Sequence, residues 1–83
     1  MITGVQFTGS LAPNQTQRWT TFNWNSAWHV VWYMMPTSTQ NVPEINWSVA
    51  VQRADASNST YWITVTNLTA TTVTFEGRYA ILA

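Results

Sequence analysis

Apolar and polar residues alternate along most of this chain with a period of two, and no stretch sustains the 3.6-residue period of a helix. The alternation predicts strands over residues 2–8, 17–24, 28–35, 45–53, 60–68 and 72–82. In 2–8, Val5 and Phe7 fall on one side. In 17–24, Trp19 and Thr21 share a face, with Arg18, Thr20, Phe22 and Trp24 on the other. Residues 28–35 are apolar on both faces except at His29, the pattern of a central strand or of one with a face in a subunit contact. In 45–53, Trp47, Val49 and Val51 point inward. In 60–68, Tyr61, Ile63 and Val65 oppose Trp62, Thr64 and Thr66. In 72–82, Val73, Phe75, Tyr79 and Ile81 share a face, and Gly77 reads as a bulge.

Turn-forming residues separate these runs at 9–14, 25–27, 36–43, 54–59 and 67–70. Strands punctuated at roughly 8–12 residues indicate an all-β fold. The expectation is one domain over 1–83, a small antiparallel β-sandwich of about six strands. Strands rich in Thr, Val, Trp and Tyr agree with it.

Composition then narrows the function. The chain has three Arg, no Lys, no Cys, one His and zero formal net charge. Three Arg cannot build the basic face that neutralises a phosphate backbone, so no nucleic-acid partner is expected. No disulfide frame is available, and one His argues against a metal site. No cofactor is implied: the three Gly, at 4, 9 and 77, form no phosphate-binding loop. The start Met1-Ile2-Thr3-Gly4 shows no secretory leader, and the longest apolar run falls well short of a spanning helix. The compartment is left open. A small, uncharged, Trp-rich surface favours a homo-oligomer, which hides part of that surface.

Catalysis is not expected. General acid–base work needs a positioned pair of titratable groups. His29, Glu44, Asp55 and Glu76 lie on different predicted elements. Glu76 and Arg78 share a face two residues apart and can pair along their strand. Four Asn-x-Ser/Thr sequences occur, at Asn14, Asn46, Asn58 and Asn67. Chance accounts for them in a chain with 14 Thr, so they are not taken as glycosylation sites.

Six Trp exceed what one small core can absorb. Those left outside suit two purposes. An exposed indole stacks on the C–H face of a sugar ring while Asn, Thr, Asp and Arg bind its hydroxyls. Trp is equally favoured in subunit contacts. A membrane belt is a third reading, but such a surface usually adds Lys or Arg for anionic lipids.

Trp28, Tyr33 and Trp62 are the candidates for stacking. Arg53, Asp55, Asn58 and His29 are the candidates for hydroxyl binding. Residues 54–59 gather Asp, Asn and Ser beside Arg53, although an ordinary polar hairpin loop has the same composition.

The segment Ser59-Thr60-Tyr61-Trp62-Ile63-Thr64-Val65-Thr66-Asn67-Leu68-Thr69-Ala70-Thr71-Thr72-Val73-Thr74-Phe75 resembles the H-type lectin domain. That family has a strand, a short Asn/Thr turn, then a strand opening with an aromatic. The resemblance implies a six-stranded antiparallel sandwich, a trimeric assembly and binding of N-acetylgalactosamine or related sugars. The family's sugar-gripping Arg before the turn is replaced here by Thr60 or Tyr61, and its Trp-His pair has no counterpart. The resemblance therefore implies fold, not site or sugar. The expected function is a non-catalytic, multivalent carbohydrate-binding protein. The alternative is a structural, assembly or adhesion module whose Trp residues serve its own contacts.

Overall fold

A computed structural model describes residues 1–82. Six strands appear in chain order: β1 (Ile2–Leu11), β2 (Thr16–Asn25), β3 (His29–Pro36), β4 (Ile45–Arg53), β5 (Asn58–Asn67) and β6 (Val73–Leu82). They form two three-stranded antiparallel sheets, ordered β1-β6-β3 and β2-β5-β4. The all-β sandwich expected from the alternation is the fold observed. β5 and β6 are the central strands, and β5 shows the cleanest alternation of buried and half-buried positions.

Leu11, Met34, Ile63, Val65, Val73 and Phe75 are fully buried between the sheets. Two aromatic clusters divide the interior. Phe7 stacks on Trp19 at 5.6 Å, and both meet Phe75 edge-on. Toward the other end Trp24 packs edge-on against Trp32 and Tyr79, at 5.1 and 5.2 Å, and against Tyr61 at 6.0 Å. Edge-to-face packing sets the positive ring edge on the negative ring face, adding to what burial alone supplies. Burial also pushes the Tyr61 phenol pKa up.

Two bulges correct the simple alternation. In β2 the pairing with β5 shifts between Thr21 and Trp24, and Asn23 adopts a left-handed φ of 63°. The extra residue returns Trp24 to the inward face, where it is buried, instead of leaving it beside Arg18. In β1 the shift lies between Val5 and Phe7. It turns Val5 outward and Phe7 inward, so the two do not share a side. The bulge expected at Gly77 thus lies on the neighbouring strand. Gly77 itself keeps regular pairing, and the Phe7 ring occupies the space its missing side chain leaves.

β1 also runs on to Leu11, further than the loop expected from residue 9. Gly9 permits this because the Phe75 and Trp19 rings sit where a Cβ would be. The chain then reverses over 12–15. Pro13 presets one turn position, Asn14 supplies the positive φ (60°) of the next, and Gln15 N–H donates to Ala12 O.

Candidate functional site

One end of the sandwich carries a polar cleft of about 730 Å³, between the β2–β3 turn and the β4–β5 loop. Asn23, Asn25, Ser26 and Trp28 line it from the first side, and Arg53, Ser57 and Asn58 from the second. Each wall is fixed by its own local chemistry. On the first, Trp28 N–H donates to Asn25 O, and Asn25 Oδ1 accepts from Ala27 N–H, an Asx turn. On the second, Asp55 Oδ1 accepts from the N–H groups of Ser57 and Asn58, both at 2.8 Å. These bonds, with Asn58 Nδ2 near both carboxylate oxygens, hold the exposed Asp55 carboxyl below its usual pKa. Arg53 Nη1 reaches Ala56 O at 3.4 Å.

Trp28 is the aromatic element of the cleft, with Ala27 and Ala56 as its small apolar neighbours in the lining. Its ring rests edge-on against buried Trp24 at 6.2 Å, and 46% of its surface is open. Beside it stand amides, hydroxyls and a single guanidinium. Such a set is rich in hydrogen-bond donors and acceptors and poor in charge, and it suits a neutral polyhydroxylated ligand with one apolar face.

The seven sequence candidates separate in space. Trp28, Arg53 and Asn58 line the cleft. Asp55 holds the loop in shape through Ser57 and Asn58. His29 opens β3, exposed and opposite Leu82. Tyr33 lies further along β3 and packs on Trp47 at 5.2 Å. Trp62 is on the outer face of the β2-β5-β4 sheet. Arg18 covers its ring at 4.4 Å, a cation–π contact, and its Nε1–H donates to Gln52.

Asn23, Asn25, Ser26 and Ser57 are cleft residues that the sequence reading did not select. The signal for Asn23, Asn25 and Ser26 was the run Asn23-Trp24-Asn25-Ser26, with two amides flanking a Trp just before a turn, and Ser57 lies inside the 54–59 loop whose composition was noted.

Among the described residues, no three of His, Asp and Glu cluster as metal ligands would, and no helix is long and apolar enough to cross a membrane. Glu76 and Arg78 pair at 2.9 Å on the outer face of β6, away from the cleft. No protein-family model matches the chain, and no curated protein or solved structure matches it either.

Proposed function

We propose that the protein binds carbohydrate without catalysis, through the cleft between the β2–β3 turn and the β4–β5 loop, and gains avidity as a homo-oligomer. The half-exposed Trp28 beside a cleft of amides, hydroxyls and Arg53 carries this reading. In it a pyranose lays its C–H face on Trp28, and Arg53, Asn58 and Ser57 bind its hydroxyls. A single small polar ligand gains little over water. Repeating the site in an oligomer raises avidity by roughly 10²–10⁴ where the geometry lets several sites engage.

A glycan array on the purified protein, followed by intrinsic Trp fluorescence titration, tests it. Saturable binding to one glycan family is expected, lost in Trp28→Ala and retained in Trp62→Phe. A blank array, or binding indifferent to Trp28→Ala, overturns it.

A different observation favours the second reading, an assembly module with no small ligand. An apolar groove of about 380 Å³ crosses the outer face of the β1-β6-β3 sheet over Val5, Val31, Tyr33 and Ala80. A blank array together with an oligomeric mass supports that reading.

A further inference from the structure

We propose that β4 is a self-association edge. Two copies of this chain pair β4 against β4, antiparallel about a two-fold axis at Val49, and so join two three-stranded sheets into one of six strands.

An open sheet edge offers unpaired N–H and C=O groups to any extended chain, and proteins normally blunt it. β1 and β2 are each interrupted by a bulge. β3 ends on Pro36, and its inward Trp32 and Met34 are already buried. β4 has none of these devices. Its register with β5 is unbroken from Ile45↔Asn67 to Arg53↔Ser59, without Pro, Gly or Lys, and its one charge is the terminal Arg53.

The hydrogen-bond parity of the free edge follows from the ends of the β4–β5 ladder. Leu68 N–H donates to Glu44 O, and Ala54 N–H donates to Asn58 O. The even-numbered residues of this stretch therefore face β5. Ile45, Trp47, Val49, Val51 and Arg53 turn their N–H and C=O groups to the free edge. The same residues point their side chains toward the sandwich interior. Along this edge β3 reaches β4 where Tyr33, from the outer face of its own sheet, meets Trp47, and beyond that contact Val49 and Val51 remain 37% and 66% exposed.

A second copy of β4 meets each of these requirements. Antiparallel pairing about Val49 sets Val49 against the partner's Val49, Val51 against the partner's Trp47 and Arg53 against the partner's Ile45. Free-edge groups then meet free-edge groups along all nine residues of the strand. One face of the seam is an apolar row. On the other, Ser48 meets the partner's Ala50, and Asn46 meets the partner's Gln52. A one-residue slip sets bonding positions against non-bonding ones and apolar against polar side chains. A two-residue slip keeps the parity but shortens the ladder. No like charges approach, because the two Arg53 residues lie eight residues, about 27 Å, apart along the seam. The pairing does not depend on what the cleft binds.

Sedimentation across a concentration series, with two kinds of variant, tests it. The wild-type chain is expected to reach the mass of a dimer. Val49→Pro removes an N–H that faces the free edge, not β5, so it should keep the far-UV circular dichroism spectrum and lose the dimer. If Val49→Pro does not fold, Val51→Lys, at an exposed position, should give the same loss. The chain has no Cys, so Val49→Cys is a clean reporter. Directly opposed hydrogen-bonded residues lie about 5.5 Å apart at Cα, within disulfide reach. Oxidation should link two chains at Val49→Cys and not at Ala50→Cys. A monomer at every concentration, a trimer, or an oligomer unaffected by the folded edge variants overturns the proposal.

Discussion

Ser26 donates its backbone N–H to the carbonyl of Ser57 at 2.9 Å, and this bond ties together the two walls of the polar cleft. A second tie runs from the Ser26 hydroxyl to that of buried Ser59, at 2.8 Å. The cleft is thus held at its base before any ligand arrives, which lowers the ordering cost of binding. Ser59→Ala removes the second tie and leaves the first. Losing one hydrogen bond of this kind costs about 1 kcal/mol. A lowered urea midpoint at unchanged m-value is expected, with weaker ligand binding in the same variant. Unchanged stability would mean that the hydroxyl pair contributes nothing.

Asp55 makes the β4–β5 loop sensitive to acid. Its pKa in the fold lies below the ordinary 3.8 because its carboxylate accepts from Ser57 and Asn58. Above pH 3.8 the carboxylate is ionised in both folded and unfolded chains, and its stabilising contribution is complete. As the pH falls below 3.8 the unfolded chain takes up its proton first, and the contribution fades until the folded carboxyl is also protonated. The amide resonances of Ser57 and Asn58 should therefore titrate together with a midpoint below 3.8, a transition absent in Asp55→Asn. A midpoint at or above 3.8 would show that the loop bonds are not made in solution.

How much of this was legible in the sequence depends on what each residue's position rests on. Tyr61, Ile63 and Val65 fall inward as their alternation predicts, because the extra residue of the β2 bulge lies on β2 and β5 itself keeps unbroken register with β4. Trp24 was misread because one inserted residue at the β2 bulge reverses every side chain beyond it. An Asn at that point is only a faint signal for a left-handed residue. Val49 and Val51 were assigned the correct face, but which edge lies uncovered is set by the packing of two sheets and not by the strand's own pattern. The site was legible in part. Arg53, Asp55 and Asn58 are neighbours in sequence, and the loop composition singled them out. The meeting of Arg53 and Asn58 with Trp28, Asn23 and Asn25 depends on tertiary closure.

Gly77 and Phe7 form a coupled pair across β6 and β1. A Cβ at Gly77 would overlap the Phe7 ring, which is itself held between Trp19 and Phe75. Gly77→Ala should therefore act as overpacking and cost about 1–3 kcal/mol. Shortening the opposing side chain frees the same space, so Gly77→Ala with Phe7→Leu should lose less than the sum of the two single losses. A double-mutant cycle from chemical denaturation measures that coupling. Strict additivity would mean that the ring moves aside without strain.

Asn67 is the buried polar residue on which the opposite end of the sandwich depends. It is 1% exposed, and its amide is used on both sides. Nδ2 donates to the carbonyls of Leu11, Ala12 and Thr71, and Oδ1 accepts from the N–H and hydroxyl of Thr69. The end of β1, the β1–β2 turn and the β5–β6 turn are held by one side chain. This burial also closes Asn67 to glycan attachment, although Asn67-Leu68-Thr69 has the acceptor pattern. Asn67→Ala leaves several of these partners without a bond and a cavity in their midst. A loss of about 2–4 kcal/mol is expected, since each abandoned buried group costs about 1–3 kcal/mol and water recovers part of it. Asn67→Asp preserves the shape but turns the donor side into an oxygen facing three carbonyl oxygens, so at neutral pH it should destabilise at least as much as Ala. For a chain of this size each kcal/mol lowers Tm by about 4–8 °C, so both variants should melt at least about 8 °C below wild type. If Asn67→Asp melted close to wild type, the donor side of the amide would be reaching water and not those carbonyls. The β5–β6 turn would then owe its shape to Thr69 and Thr71 alone.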